Sequence, residues 1–178
     1  VILISTTYNN SVYSNTITTK NTNAYGIILS STAYNNSVYS NNITTSGSSS
    51  YGIELYNNIS NNNFTNNIVT TAASSIYLDG TTTSVYNNLF ANSTITNNSA
   101  TSVESTTNAF QNTLLNVSFN KSKVVFTSCT SCNLTVQWYF RANTTNQNYA
   151  PVQSATVTVK NTSGTQVDSQ STDSNGLT

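Results

Sequence analysis

Tyr34-Asn35-Asn36-Ser37-Val38-Tyr39-Ser40-Asn41-Asn42-Ile43-Thr44-Thr45 decides the fold, because it is a second copy. The first copy, Tyr8 to Thr19, lies 26 residues earlier and differs only in having Thr16 where the second has Asn42. Widening the window to 1–24 against 27–50 leaves 15 of 24 positions identical. The step persists along the chain. Asn9, Asn35, Asn61 and Asn87 share one column, and Asn10, Asn36, Asn62 and Asn88 share the next. Val12, Val38, Phe64 and Phe90 form an apolar column, and Ile17, Ile43, Val69 and Ile95 form another. Val1, Ile27 and Ile53 align as a third, with Leu3, Leu29 and Leu55 two residues on.

Inside each repeat, apolar and polar residues alternate, as in Asn36-Ser37-Val38 and Ile53-Glu54-Leu55. A period of two marks short strands with one buried face. Asn pairs separate the three strands of a repeat, and Asn tolerates the left-handed conformation of a tight corner. Such a unit buries its apolar face only by stacking on the next, so successive repeats must wind into a coil with parallel pairing between turns. A single 26-residue coil holds too few large apolar side chains to offset its own backbone entropy and is expected to be unfolded alone. The fourth repeat shifts register: Ile76 and Leu78 match Ile53 and Leu55 at an offset of 23, because holding 26 would bury Asp79. Asn112-Thr113-Leu114, with Phe119 five residues further on, reads as a fifth, irregular coil.

Tyr25-Gly26-Ile27-Ile28-Leu29 followed by Asn35-Asn36-Ser37-Val38-Tyr39-Ser40-Asn41-Asn42-Ile43 resembles the parallel β-helix repeats of NosD-like and pectate-lyase-like proteins. The resemblance covers about residues 1–120. It implies a right-handed coil of three sheets and a structural amide ladder at Asn10, Asn36, Asn62 and Asn88. Beyond Asn120 the Asn columns stop. Ala150-Pro151-Val152-Gln153-Ser154-Ala155-Thr156-Val157-Thr158-Val159 with Thr172-Asp173-Ser174-Asn175-Gly176 resembles the immunoglobulin-like or carboxypeptidase-regulatory-like modules of prokaryotic, often archaeal, surface proteins. The sequence is therefore read as all-β. Residues 1–120 form a parallel β-helix of four to five coils, and 121–178 form an incomplete β-sandwich. The strand-turn pattern still running at Asn175-Gly176-Leu177-Thr178 reads as a segment of a longer protein.

Composition removes whole classes of function. Asn, Ser and Thr number 31, 28 and 32 of 178 residues, while charged residues make up 6%. Five cations spread from Lys20 to Lys160 make no basic stripe, so nucleic acid is not an expected partner. With no His and no Met, the chain lacks the imidazole or thioether of a charge-relay hydrolase, a His-ligated zinc site or a His/Met copper site. No cofactor or metal is expected, and no apolar run reaches membrane-span length.

The remaining site candidates are few. Cys129-Thr130-Ser131-Cys132 lacks further zinc ligands and reads as a local disulfide in an oxidising compartment. Glu54 and Asp79 face outward, diagonally one coil apart, about 8 Å by strand geometry, within the inverting-glycosidase range. Lyases and hydrolases of this superfold carry larger acidic clusters or an Arg or Lys base, so solvated-face acids are the plainer reading. Outward Tyr13, Tyr39, Tyr56 and Tyr77, among Asn and Ser, suit sugar rings, and with Glu54 and Asp79 they form the candidate glycan-contact set. The expected function is a structural or adhesive module of an extracellular or cell-surface protein, meeting surface glycans or other envelope proteins. The alternatives are a fragment of a carbohydrate-active β-helix enzyme and a NosD-like copper-site maturation factor. The missing His and Met weigh against the latter.

Overall fold

The structure, a computed structural model, describes residues 2–97 and 101–178, apart from the side chains of Leu3 and Asn97. It is a parallel β-solenoid of about five turns. The first coil contains β1 (Ile2–Ser5), β2 (Ser11–Tyr13) and β3 (Thr16–Thr19). The second contains β4 (Ile27–Ser30), β5 (Ser37–Tyr39) and β6 (Asn42–Thr45). The third adds a fourth short strand: β7 (Ile53–Tyr56), β8 (Ile59–Ser60), β9 (Asn63–Thr65) and β10 (Ile68–Thr71). The fourth repeats that plan with β11 (Ile76–Asp79), β12 (Val85–Tyr86), β13 (Leu89–Ala91) and β14 (Thr94–Asn97). The fifth has β15 (Val103–Thr106), β16 (Ala109–Phe110) and β17 (Asn112–Leu115), and β18 (Val124–Thr127) and β19 (Leu134–Gln137) start a sixth.

Equivalent strands pair in parallel from coil to coil. Two six-stranded sheets run β1-β4-β7-β11-β15-β18 and β2-β5-β9-β13-β17-β19, a four-stranded sheet runs β3-β6-β10-β14, and β8-β12-β16 form a narrow fourth. The register confirms the loop shift at the fourth repeat: Ile76 lies beside Ile53 and Leu78 beside Leu55. In the fifth coil Leu114 continues the Val12, Val38, Phe64 and Phe90 column.

Three details differ from the sequence reading. First, β1 pairs at an offset of 25, with Ile2 beside Ile27 and Ile4 beside Leu29. Val1 lies outside the described residues. The run Val1-Ile2-Leu3-Ile4 has no polar phase, so alternation could not choose its buried face. Second, coils three to five carry a fourth strand, two residues long, at the corner where Tyr8, Tyr34 and Ser60 make single parallel bridges. Third, the solenoid runs past residue 120. Val124 pairs with Val103 and Leu134 with Asn112, and the compact unit ends at Trp138.

The inward columns make a continuous apolar core. Ile27, Leu29, Val38, Ile43, Leu55, Phe64, Leu78 and Leu114 are fully buried. Phe64 and Phe90 stack with centroids 4.5 Å apart. Gly52 sits where one coil presses on the next. A Cβ there would overlap Val69 Cγ1 and the Ser75 carbonyl oxygen.

The corners explain the Asn pairs. Asn9, Asn35, Asn61 and Asn87 all have φ between 54° and 59°, with Gln111 alike at 55°. Asn is the side-chain-bearing residue that most readily accepts this left-handed region. The following Asn turns inward and forms the ladder. Its Nδ2 donates to Oδ1 of the equivalent residue one coil on: Asn10 to Asn36 at 3.1 Å, then Asn36 to Asn62, Asn62 to Asn88 and Asn88 to Asn112, each at 3.0 Å. The backbone N–H of each donates to the same oxygen at 2.9–3.1 Å. Asn36, Asn62, Asn88 and Asn112 are buried. Each buried amide also reaches a carbonyl of the preceding coil, as Asn62 reaches Ala33 at 3.0 Å. A second ladder, not anticipated from the sequence, runs through Asn15, Asn41 and Asn67 and finishes on the Ser93 hydroxyl.

Residues 139–178 form a separate compact unit. Its one regular sheet is the antiparallel pair β20 (Thr156–Lys160) and β21 (Gln166–Ser171), with isolated bridges from Asn143 to Leu177 and Thr145 to Pro151. Among the described residues, no helix is long and apolar enough to cross a membrane, which says nothing of β-barrels.

Candidate functional site

The candidate residues fall on two sheets. Tyr13 and Tyr39 are outward neighbours on β2 and β5, with stacked rings 5.0 Å apart and 5° from parallel. Tyr8 and Tyr34 stack in the same way at 5.1 Å. Glu54, Tyr56, Tyr77 and Asp79 share the outward face of β7 and β11, where Glu54 lies beside Tyr77 and Tyr56 beside Asp79. The two acids are therefore diagonal neighbours. Glu104 on β15 continues the column beyond Tyr77.

Sequence reasoning missed Tyr25 and Tyr51. Tyr25 stacks on Tyr51 at 5.4 Å, and Tyr51 on Tyr77 at 4.3 Å. Residues 25, 51 and 77 are spaced 26 apart, so the signal was present. It was hidden because the strand beginning at Ile76 is shifted by three residues. Burial, reinforced by Asp79, raises the phenol pKa of Tyr77 above its ordinary value. Burial, then Glu104 and Glu54, does the same for Tyr51.

The stacks change what the tyrosines can offer. Rings piled at the coil spacing cover the π-faces turned toward each other, while Tyr8 and Tyr13, in the first coil, remain 58% and 55% exposed. Tyr56 stacks on no other ring among the described residues. It stands between Ser30 and Asp79 and is 37% exposed.

The acids divide similarly. Asp79 Oδ1 accepts from the Thr81 N–H at 2.9 Å, the Thr81 hydroxyl and the Thr106 hydroxyl at 3.1 Å, so its carboxylate holds the turn at Gly80. Glu104 accepts from Ser74 at 2.8 Å and Thr127 at 3.3 Å. Glu54 accepts from no described residue. Desolvation, with Asp79 nearby, raises its carboxyl pKa to about 7. Among the described residues no cluster of acids or thiols is arranged to hold a metal ion. The hollow lined by Asn88, Leu89, Gln111 and Gln137 does not include these residues, nor does the one lined by Phe140, Val157, Val159 and Asp168.

Cys129 and Cys132 form a disulfide with Cα atoms 5.7 Å apart, in the loop between β18 and β19. Lys121 Nζ lies 5.1 Å from the Trp138 ring centroid.

Comparison with protein-family models, curated proteins and solved structures finds no match for the chain. The solenoid thus stands on its own register and ladders.

Proposed function

We propose that the chain is a rigid, non-catalytic spacer of a secreted or cell-surface protein, and that its Tyr56–Asp79–Glu54 face contacts surface glycans. The observation that carries this reading is the difference between Tyr56 and the stacked tyrosines. Tyr56 stacks on no other described ring and has carboxylates beside it to accept hydrogen bonds from sugar hydroxyls, which Tyr13, although 55% exposed, lacks. The spacer role is supported by two amide ladders that tie each coil to the next at spacings of about 3 Å. The Cys129–Cys132 disulfide suits an oxidising compartment. Residues 139–178, with their antiparallel pair, are read as the start of an immunoglobulin-like or carboxypeptidase-regulatory-like module. The anchoring of Asp79 in its own turn favours a structural acid over a catalytic partner for Glu54.

A glycan array followed by titration tests the reading. Tyr56→Ala should weaken binding of the best glycan by about tenfold, the usual loss on removing a stacking ring. Tyr13→Ala should change it little. Equal binding by Tyr56→Ala, or no glycan bound at all, overturns the adhesive reading. Glycan cleavage abolished by Glu54→Gln would instead establish the enzyme.

A further inference from the structure

Threonine gathers on one face of the solenoid. Over four coils the sheet β3-β6-β10-β14 turns eight side chains outward: Thr16 and Thr18, Asn42 and Thr44, Ile68 and Thr70, Thr94 and Thr96. Six of these eight are Thr, whereas the matching eight positions on β2, β5, β9 and β13 hold only Thr65. Strand propensity is the same for both sheets and does not account for the difference. Thr18, Thr44, Thr70 and Thr96 are successive partners in the register and form an unbroken column. Beside it, Thr16 and Thr94 bracket Asn42 and Ile68, and Ile68 keeps the β-branch without the hydroxyl. All eight side chains are exposed except the half-buried Thr70, and none of them bonds to another described residue. No charge stands among them, and Lys20 lies just past the end of β3.

The array is held stiff and regular. Ile17, Ile43, Val69 and Ile95 fill the inner side of the same strands, and the Asn15, Asn41 and Asn67 ladder ties the coils together just before them. Tyr13–Tyr39 and Phe64–Phe90 stack from coil to coil at 5° and 11° from parallel, so these coils add with little twist. A β-branched side chain has few rotamers, so each methyl and hydroxyl keeps its place. The hydroxyls therefore repeat at about 4.8 Å from coil to coil, and at about 6.6 Å along a strand. Both spacings are close to those of water molecules on a prism face of ice. Small ligands bind in concave sites, and neither hollow described above includes any of the eight residues. A neutral, fixed grid of methyls and free hydroxyls is instead complementary to a repeating surface.

We propose that the outward face of β3, β6, β10 and β14 binds ice. Its methyls order a shell of water, and its hydroxyls tie that shell to the crystal. The face lies on a different sheet from Tyr56, so this activity is independent of glycan contact there.

The test is microscopy and osmometry of ice growing in a solution of the full chain. Crystals should grow faceted, with a gap between the melting and freezing points. Thr44→Tyr/Thr70→Tyr should abolish both while keeping the circular dichroism of the parent. Thr65→Tyr, on the neighbouring sheet, should change neither. Asn42→Thr/Ile68→Thr completes the second column and should widen the gap, a gain that a merely structural role would not give. That variant also decides the matter if the tyrosine variant fails to fold. Round crystals with no gap, full activity in a folded Thr44→Tyr/Thr70→Tyr chain, or no gain in Asn42→Thr/Ile68→Thr overturns the proposal.

Discussion

The inner coils and the last strands of the solenoid are built from similar alternating residues, yet they are buried very differently. Phe64 and Leu114 are completely covered, while Phe126, in the Leu29–Leu55–Leu78 column, and Val136, beside Leu114, remain 47% and 40% exposed. The difference lies in the neighbours. Each inner coil has a partner on both sides, and its corner asparagines are bonded in both directions. The strands of 124–137 are paired on one side and have no ladder residue, because Leu134 follows Asn112 in that column. Stability in this protein therefore belongs to contacts between coils, as in other solenoids.

The contrast can be broken most sharply in the core. Phe64→Ala should cost about 3–5 kcal/mol in urea unfolding, whereas Phe126→Ala should cost less than about 1.5 kcal/mol, because water already reaches half of that ring. Equal losses would mean that burial at the two ends is alike. Next comes the ladder. Asn62→Ala removes the acceptor of the buried Asn36 N–H and Nδ2 and a donor to the Ala33 and Ser60 carbonyls, and should cost about 3 kcal/mol or more. The same change at the exposed Asn10 should cost about 1 kcal/mol.

The smallest effect concerns Glu54. Its carboxyl pKa is raised from 4.5 to about 7 by burial and by Asp79. Between those values the folded chain holds a proton that the unfolded chain has released, so stability falls as pH rises through that window. Discounted for partial exposure, the loss should be on the order of 1 kcal/mol. Melting temperatures at pH 5 and pH 8 should differ accordingly, and Glu54→Gln should flatten the profile. A midpoint that rises with pH would contradict the assignment.

Much of this was legible in the residues. The 26-residue step fixed the coil, and the cost of burying Asp79 located the three-residue slip before Ile76. The Asn10 to Asn88 ladder was implied by the resemblance to β-helix repeats, and its parity with Val12 and Val38 allows it. Asn15, Asn41 and Asn67 had the same parity with Ile17, Ile43 and Val69, so the second ladder was readable in the same way. Other features were not accessible by periodicity. Val1-Ile2-Leu3-Ile4 is apolar on both phases. Val124-Val125-Phe126 is apolar throughout and carries no Asn to say which sheet it joins. The candidate site was legible only as outward residues. Which rings cover each other, and which acid is held by its own turn, depends on distances that strand periodicity does not contain.

The most direct measurement is native-state hydrogen exchange at the backbone amides of Asn36, Asn62 and Asn88, which donate to side-chain oxygens one coil away. They should exchange as slowly as the amides of Ile53 and Ile76 in the paired strands, and all should open together. Exchange at the rate of exposed loop amides would mean that the asparagines are not stacked in register, and the inter-coil account of this protein would fail.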